Sequence, residues 1–157
     1  MPGPTTLSQA EIDQYSIQYY VQSGLDALGW STVRVNQVMN GWPVYEELDV
    51  PGVYVICDAS DLAGVELGSH GKSRTAFFYI YGENDAQRSR LADTIQDMVR
   101  DTIPIYEFVD GNETTPNSSE FFETDSVGWE KIPSTTADPK NEKYRSLVTA
   151  RIRRVVA

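Results

Sequence analysis

Few residues in this chain could act as a nucleophile, a base or a ligand for phosphate or metal. His70 is the only histidine among 157 residues. A Ser-His-Asp or Cys-His arrangement would have to use it. Yet Gly68-Ser69-His70-Gly71-Lys72-Ser73 holds neither a nucleophile elbow nor a partner to orient the ring. The same peptide ends Gly-Lys-Ser like a phosphate loop, but it lacks the glycine four residues earlier and is followed by a strand pattern. Asp110-Gly111-Asn112-Glu113 has the composition of a calcium loop without the spacing of oxygen ligands, and reads better as a turn. Cys57 is the only cysteine, which rules out an intrachain disulfide and a cysteine zinc cluster. Its setting, VYVICD, is that of a buried thiol on a strand. Asn112-Glu113-Thr114 and Asn117-Ser118-Ser119 match the glycosylation sequon, but no secretory signal precedes them. Paired carboxylates could serve a hydrolase, although spacing nominates no pair. The expectation is a protein that is not an enzyme and carries no cofactor and no metal.

Charge is the stronger signal. The chain carries a formal −10, unevenly spread. From residue 101 to 130 there are eight acids, including Asp110, Glu113, Glu120, Glu123 and Asp125, and no Lys or Arg. The C-terminal stretch from Lys140 onward is basic, with Arg145, Arg151, Arg153 and Arg154. Nucleic-acid binders draw most of their affinity from phosphate neutralisation, which this balance opposes. Unlike ends suit electrostatic matching between protein subunits. No run of about 18 apolar residues marks a membrane span, and the start MPGPTTLSQAEID has no signal-like apolar region, so an intracellular protein is expected.

The elements that would carry these charges follow from periodicity. Ser8 with Glu11 fits a capping box for a helix over about 9–28, with Gly29 as its stop. Val33, Val35 and Gln37 alternate as a short strand, and Asn40-Gly41 marks a turn. Gly52–Cys57 and Thr75–Tyr81 read as strands, the second with Phe77, Tyr79 and Tyr81 on one face and Ala76, Phe78 and Ile80 on the other. Asn84 or Asp85 can cap a helix whose stripe is Leu91, Ile95, Met98 and Val99. IPIYEFV and YRSLVTARIRRVV supply further strands, the last with Val148, Ala150 and Ile152 on one face. Residues 110–142, polar and acidic around Phe121, Phe122 and Trp129, read as a long acidic insertion loop. The whole, 1–157, is expected to be one α+β domain. Its architecture would be a two-layer sandwich: a mostly antiparallel sheet with two helices packed on one face.

Bulky apolar side chains on both faces of Thr75–Tyr81 demand cover on both sides. Either the 9–28 helix covers the far face, making three layers, or a second copy does. Tyr79, Tyr81, Tyr106 and Phe108 are then the candidate interface core, with Arg151, Arg153 and Arg154 as its charged partner surface. The basic terminal strand could equally be an edge guarded by charge.

TAFFYIYGEND, AQRSRLADTIQDMV, IPIYEF and YRSLVTARIRRV, with Glu66-Leu67-Gly68 ahead, resemble the tail-terminator and neck (tail-completion) proteins of long-tailed bacteriophages. The resemblance covers about residues 52–109 and 144–156. It implies a non-enzymatic virion subunit, present in the host cytoplasm during assembly. Such a subunit forms a ring, commonly a hexamer, between the tail tube protein and the head-side connector. DNA would pass through without specific binding, and the acids Asp110, Glu113, Glu120, Glu123 and Asp125 would face the lumen or a partner. Other readings are a head-completion adaptor, a tail-tube subunit, or a monomeric ligand-binding module lined by Trp42, Phe121, Phe122 and Trp129.

Overall fold

A computed structural model of the chain describes residues 9–30, 32–37, 50–60, 73–108, 115–132 and 144–156. The helix expected at the start is α1, Gln9–Ala27. It ends where anticipated. Gly29 takes φ 91°, a left-handed conformation that glycine adopts at little cost. Trp30 N donates to Leu25 O (2.9 Å) and Gly29 N to Asp26 O (3.2 Å), the paired bonds of a Schellman motif. Ile17, Val21 and Leu25 form the buried stripe.

Strand β1, Arg34–Gln37, runs parallel to β2, Gly52–Ser60. β3, Ser73–Gly82, leads into the second helix, α2, Asp85–Val99. Asn84 caps α2: its side chain accepts from Gln87 N at 2.8 Å, while Gln87 Oε1 accepts from Glu83 N at 2.6 Å. β4 is Thr102–Glu107, β5 is Thr115–Ile132 and β6 is Tyr144–Val156. The strands make one curled six-stranded sheet in the order β1-β2-β3-β6-β5-β4, antiparallel at every junction but the first.

Both helices contribute to a single core. Ile17, Val21 and Leu25 of α1 and Leu91, Ile95 and Val99 of α2 pack with Val53, Val55, Phe78, Ile80, Ile103, Phe122, Val148 and Ile152. They therefore lie on the same side of the sheet. α1 does not cover the far face, so the three-layer alternative fails.

Two expectations are corrected. The long acidic loop is not a loop through its middle: residues 115–132 are the eighteen-residue strand β5, between β4 and β6. Phe122 and Trp129 lie on the helix side, Phe122 fully buried and Trp129 against the core with its Nε1 donating to Asp93 Oδ1 at 2.7 Å. These contacts hold the strand despite its polar sequence, and full burial takes the Phe122 ring out of any ligand site. The basic terminal strand β6 is no guarded edge either, for it sits between β3 and β5. Trp42, Asn40-Gly41, Ser8, Glu66 to His70, Asp110 and Glu113 lie outside the described residues.

Candidate functional site

The curl brings α1 against both outer strands of the sheet, and its polar side chains close their edges. Gln14, Gln18 and Gln22 recur every four residues on one stripe. Gln22 accepts from Val35 N (2.8 Å) and donates to Val33 O (3.2 Å), and Gln18 donates to Val35 O (3.2 Å). Where β1 runs out opposite Val55, Gln14 donates to Val55 O (2.8 Å) and accepts from Cys57 N (2.9 Å). A carboxamide offers one donor and one acceptor face like a peptide group, so the three act as a substitute strand. At the opposite edge Tyr106 N donates to Ser16 Oγ at 2.9 Å. At these positions an incoming strand finds its hydrogen bonds already taken.

The charged residues expected to face other subunits face one another instead. Arg153 pairs with Glu123 and Asp125, each at 3.2 Å, across the β5–β6 junction. Arg154 binds Glu120 at 2.7 Å and also Asp13 of α1, and Asp13 binds Arg74 of β3 as well. Asp13 is 1% exposed, and the Arg154 guanidinium lies over the Phe122 ring at 5.6 Å. Three of the acids expected at a lumen, Glu120, Glu123 and Asp125, thus pair inside one chain with two of the arginines expected at an interface, Arg153 and Arg154. The physical reason is register: antiparallel pairing sets Glu123 opposite Arg153 and Phe122 opposite Arg154. Arg151 differs. It is exposed opposite Thr75 and makes no ion pair among the described residues.

The four aromatics nominated for one interface core separate into two surfaces. On the sheet face away from the helices, register aligns Ile56, Phe77 and Thr149 in one row and Tyr54, Tyr79 and Leu147 in the next. Phe77, Tyr79, Leu147 and Ile56 are partly exposed. Tyr81 does not share that exposure. It stacks edge-on against Tyr54 at 5.6 Å and is only 4% exposed, with Val50 and Tyr79 packed beside the pair. Its ring is buried by its own chain, so it has little surface to offer a neighbour.

Tyr106 and Phe108 are on the other side, against α1. Tyr19 meets Tyr106 at 4.8 Å and Phe108 at 6.5 Å, and Tyr15 meets Phe108 at 6.1 Å, all edge-on. A register shift between Pro104 and Tyr106 turns the end of β4 this way. Together Tyr15, Gln18, Tyr19, Gln22, Val35 and Phe108 line an open groove of about 440 Å³. Burial, reinforced by Tyr19 and Tyr20 nearby, raises the Tyr106 hydroxyl pKa above its ordinary value.

Among the described residues no group of three or more His, Cys, Asp or Glu is arranged to hold a metal ion, and no helix is long and apolar enough to cross a membrane. The glutamine stripe and the buried Asp13 were missed from sequence. The signal was present: Gln14, Gln18 and Gln22 flank the apolar stripe of α1 at helical spacing. Compared with known proteins, the chain matches no family model and no curated protein.

Proposed function

We propose that this chain is a structural virion protein. It would be a ring-forming tail-terminator or neck subunit of a long-tailed bacteriophage, capping the tail tube and joining it to the head-side connector. The observation that carries the reading is the sheet face opposite both helices. It presents Ile56, Phe77, Tyr79 and Leu147 in facing rows, with no helix over them among the described residues. Aromatic and aliphatic rows of this kind are what interface cores favour. The curled, mostly antiparallel sheet with both helices on one side is compatible with the α+β domain that the resemblance implies. In this reading the protein is no enzyme. Its partners are further copies of itself, a tube protein below and a connector above, and DNA passes without specific contacts. Electron microscopy of purified particles tests the proposal. A ring of this chain at the head-proximal end of the tail supports it, and a particle without the chain overturns it.

The groove on α1 favours a second reading, a monomeric ligand-binding module. Its volume of about 440 Å³ lies within the range of small-molecule sites. Light scattering separates the two, since a module stays at 17.6 kDa and a ring is several times heavier.

A further inference from the structure

Under the first turn of α2 lies a buried cation that its own chain neutralises incompletely. Arg88 belongs to the inward stripe of α2 with Leu91, Ala92, Ile95 and Val99, and its side chain is 9% exposed. Its Nη1 donates to Arg145 O at 3.4 Å, its Nη2 binds Asp85 Oδ1, and the guanidinium stands over the Tyr144 ring at 5.8 Å. Its Nε, also buried, has no hydrogen-bond partner. Ser146 follows on β6, and strand alternation puts it on the helix side with Val148, Ala150 and Ile152. It is 0% exposed, and its Oγ likewise has no partner.

The charges there do not balance. Asp85 Oδ1 also takes Lys131 Nζ at 3.2 Å, and Lys131 stands opposite Ser146 in register. Asp85 is 60% exposed, so water screens its attraction. Glu83 is exposed and pairs with neither cation. Among the described residues, then, two cations share one solvated carboxylate. Arg88 lies besides near the positive end of the α2 dipole, where added positive charge is disfavoured.

We propose that the space between the first turn of α2 and strands β5 and β6 binds a small inorganic anion of chloride size. Arg88 Nε and Ser146 Oγ hold it, and Lys131 adds charge at the rim. Buried polar groups require partners. Both orphan groups can donate, and Nε can do nothing else, so the group they call for is an acceptor. The excess positive charge selects an anion over water. Close packing keeps it small: a Cβ at Gly82, beneath the same turn, would lie 2.8 Å from Arg88 N. The outer tip of the helix is not the site, because Asn84 Oδ1 accepts from Gln87 N there and Gln87 Oε1 from Glu83 N. A ring subunit and a monomeric module would carry this site alike.

Ser146→Ala is the discriminating variant. A buried hydroxyl without a partner costs stability, so alanine alone should leave the melting temperature equal or higher. That outcome is expected for the full chain in sodium gluconate, whose anion is too large to enter. In sodium chloride at the same ionic strength, the wild-type midpoint should rise by about 3–6 °C once chloride stands roughly tenfold above its dissociation constant. Ser146→Ala should lose that rise, and so should Arg88→Lys, which keeps the charge and removes Nε. Crystals of the wild-type chain grown in bromide should show an anomalous peak within hydrogen-bonding reach of Arg88 Nε and Ser146 Oγ. An equal chloride rise in wild type and Ser146→Ala overturns the proposal. So does no rise in wild type up to about 1 M chloride, or water alone at the bromide position.

Discussion

Asp13 and Arg154, 141 positions apart, form an ion pair at the point where α1 meets the end of β6. Asp13 also receives Arg74, and Arg154 also holds Glu120, so two carboxylates and two guanidiniums balance across α1, β3, β5 and β6. Replacing Asp13 by alanine leaves Arg74, itself 6% exposed, as an uncompensated buried cation. The expected loss is about 3–5 kcal/mol, measured by denaturant unfolding. Glu120→Ala removes a partner that is more exposed and should cost markedly less. Equal losses from the two would show that Asp13 is no keystone.

Gln14→Ala deletes the two bonds that cap Val55 O and Cys57 N. Stranding backbone groups in a partly buried place costs about 2 kcal/mol in all, less whatever entering water recovers. The more telling readout is hydrogen exchange. The Cys57 amide should exchange faster in the variant, while Ala76 and Phe78 amides in β3 should not. Unchanged protection at Cys57 would mean that the glutamine contact is incidental.

Much of this arrangement could be read in the chain, and the exceptions share a cause. α1, β3, α2 and β6 each bury one face against a single core, so their apolar spacing is regular and their ends carry recognisable signals at Gly29 and Asn84. β5 was mistaken for a loop because its open face holds Glu123, Asp125, Ser126 and Glu130, and its core contacts are few: Phe122, Val127 and Trp129. What stabilises it is pairing with β4 on one side and with β6 on the other, from Ile132 opposite Arg145 to Glu120 opposite Val156, and local composition is silent on that. The same blindness placed the basic and acidic segments on separate surfaces, when register sets Glu123 against Arg153. Tyr81 misled for another reason. Alternation gives a face, but whether that face is covered depends on distant residues such as Tyr54 and Val50.

Gly82 closes β3 just before the cap of α2. A Cβ built there would lie 2.8 Å from Arg88 N and 3.0 Å from Arg88 Cα. Those atoms belong to the helix backbone and cannot swing aside as a side chain does. Gly82→Ala should therefore cost about 1–3 kcal/mol by thermal or denaturant unfolding. Gly24→Ala is the control. Its new Cβ would press on the terminal methyl of Met98, which can rotate, so its cost should be smaller. If the order is reversed, β3 and α2 do not approach as closely as described.

Alkaline pH should loosen the contact between the two helices. The Tyr20 hydroxyl donates to Met98 O at 2.7 Å, and burial, followed by the Asp101 carboxylate, raises its pKa; Tyr106 is raised chiefly by burial too. A phenol whose pKa is higher folded than unfolded holds its proton more tightly in the native state. Its contribution is complete below the ordinary value of 10.0 and is lost as pH climbs through that value toward the raised one, because the unfolded chain deprotonates first. Unfolding midpoints should accordingly fall on the alkaline side of 10.0 and show no tyrosine-linked change below it. Tyr20→Phe removes the hydroxyl and its bond, lowering stability by about 1 kcal/mol at neutral pH. The variant's alkaline slope should be shallower than that of the parent chain, and an unchanged slope would place the titrating group elsewhere.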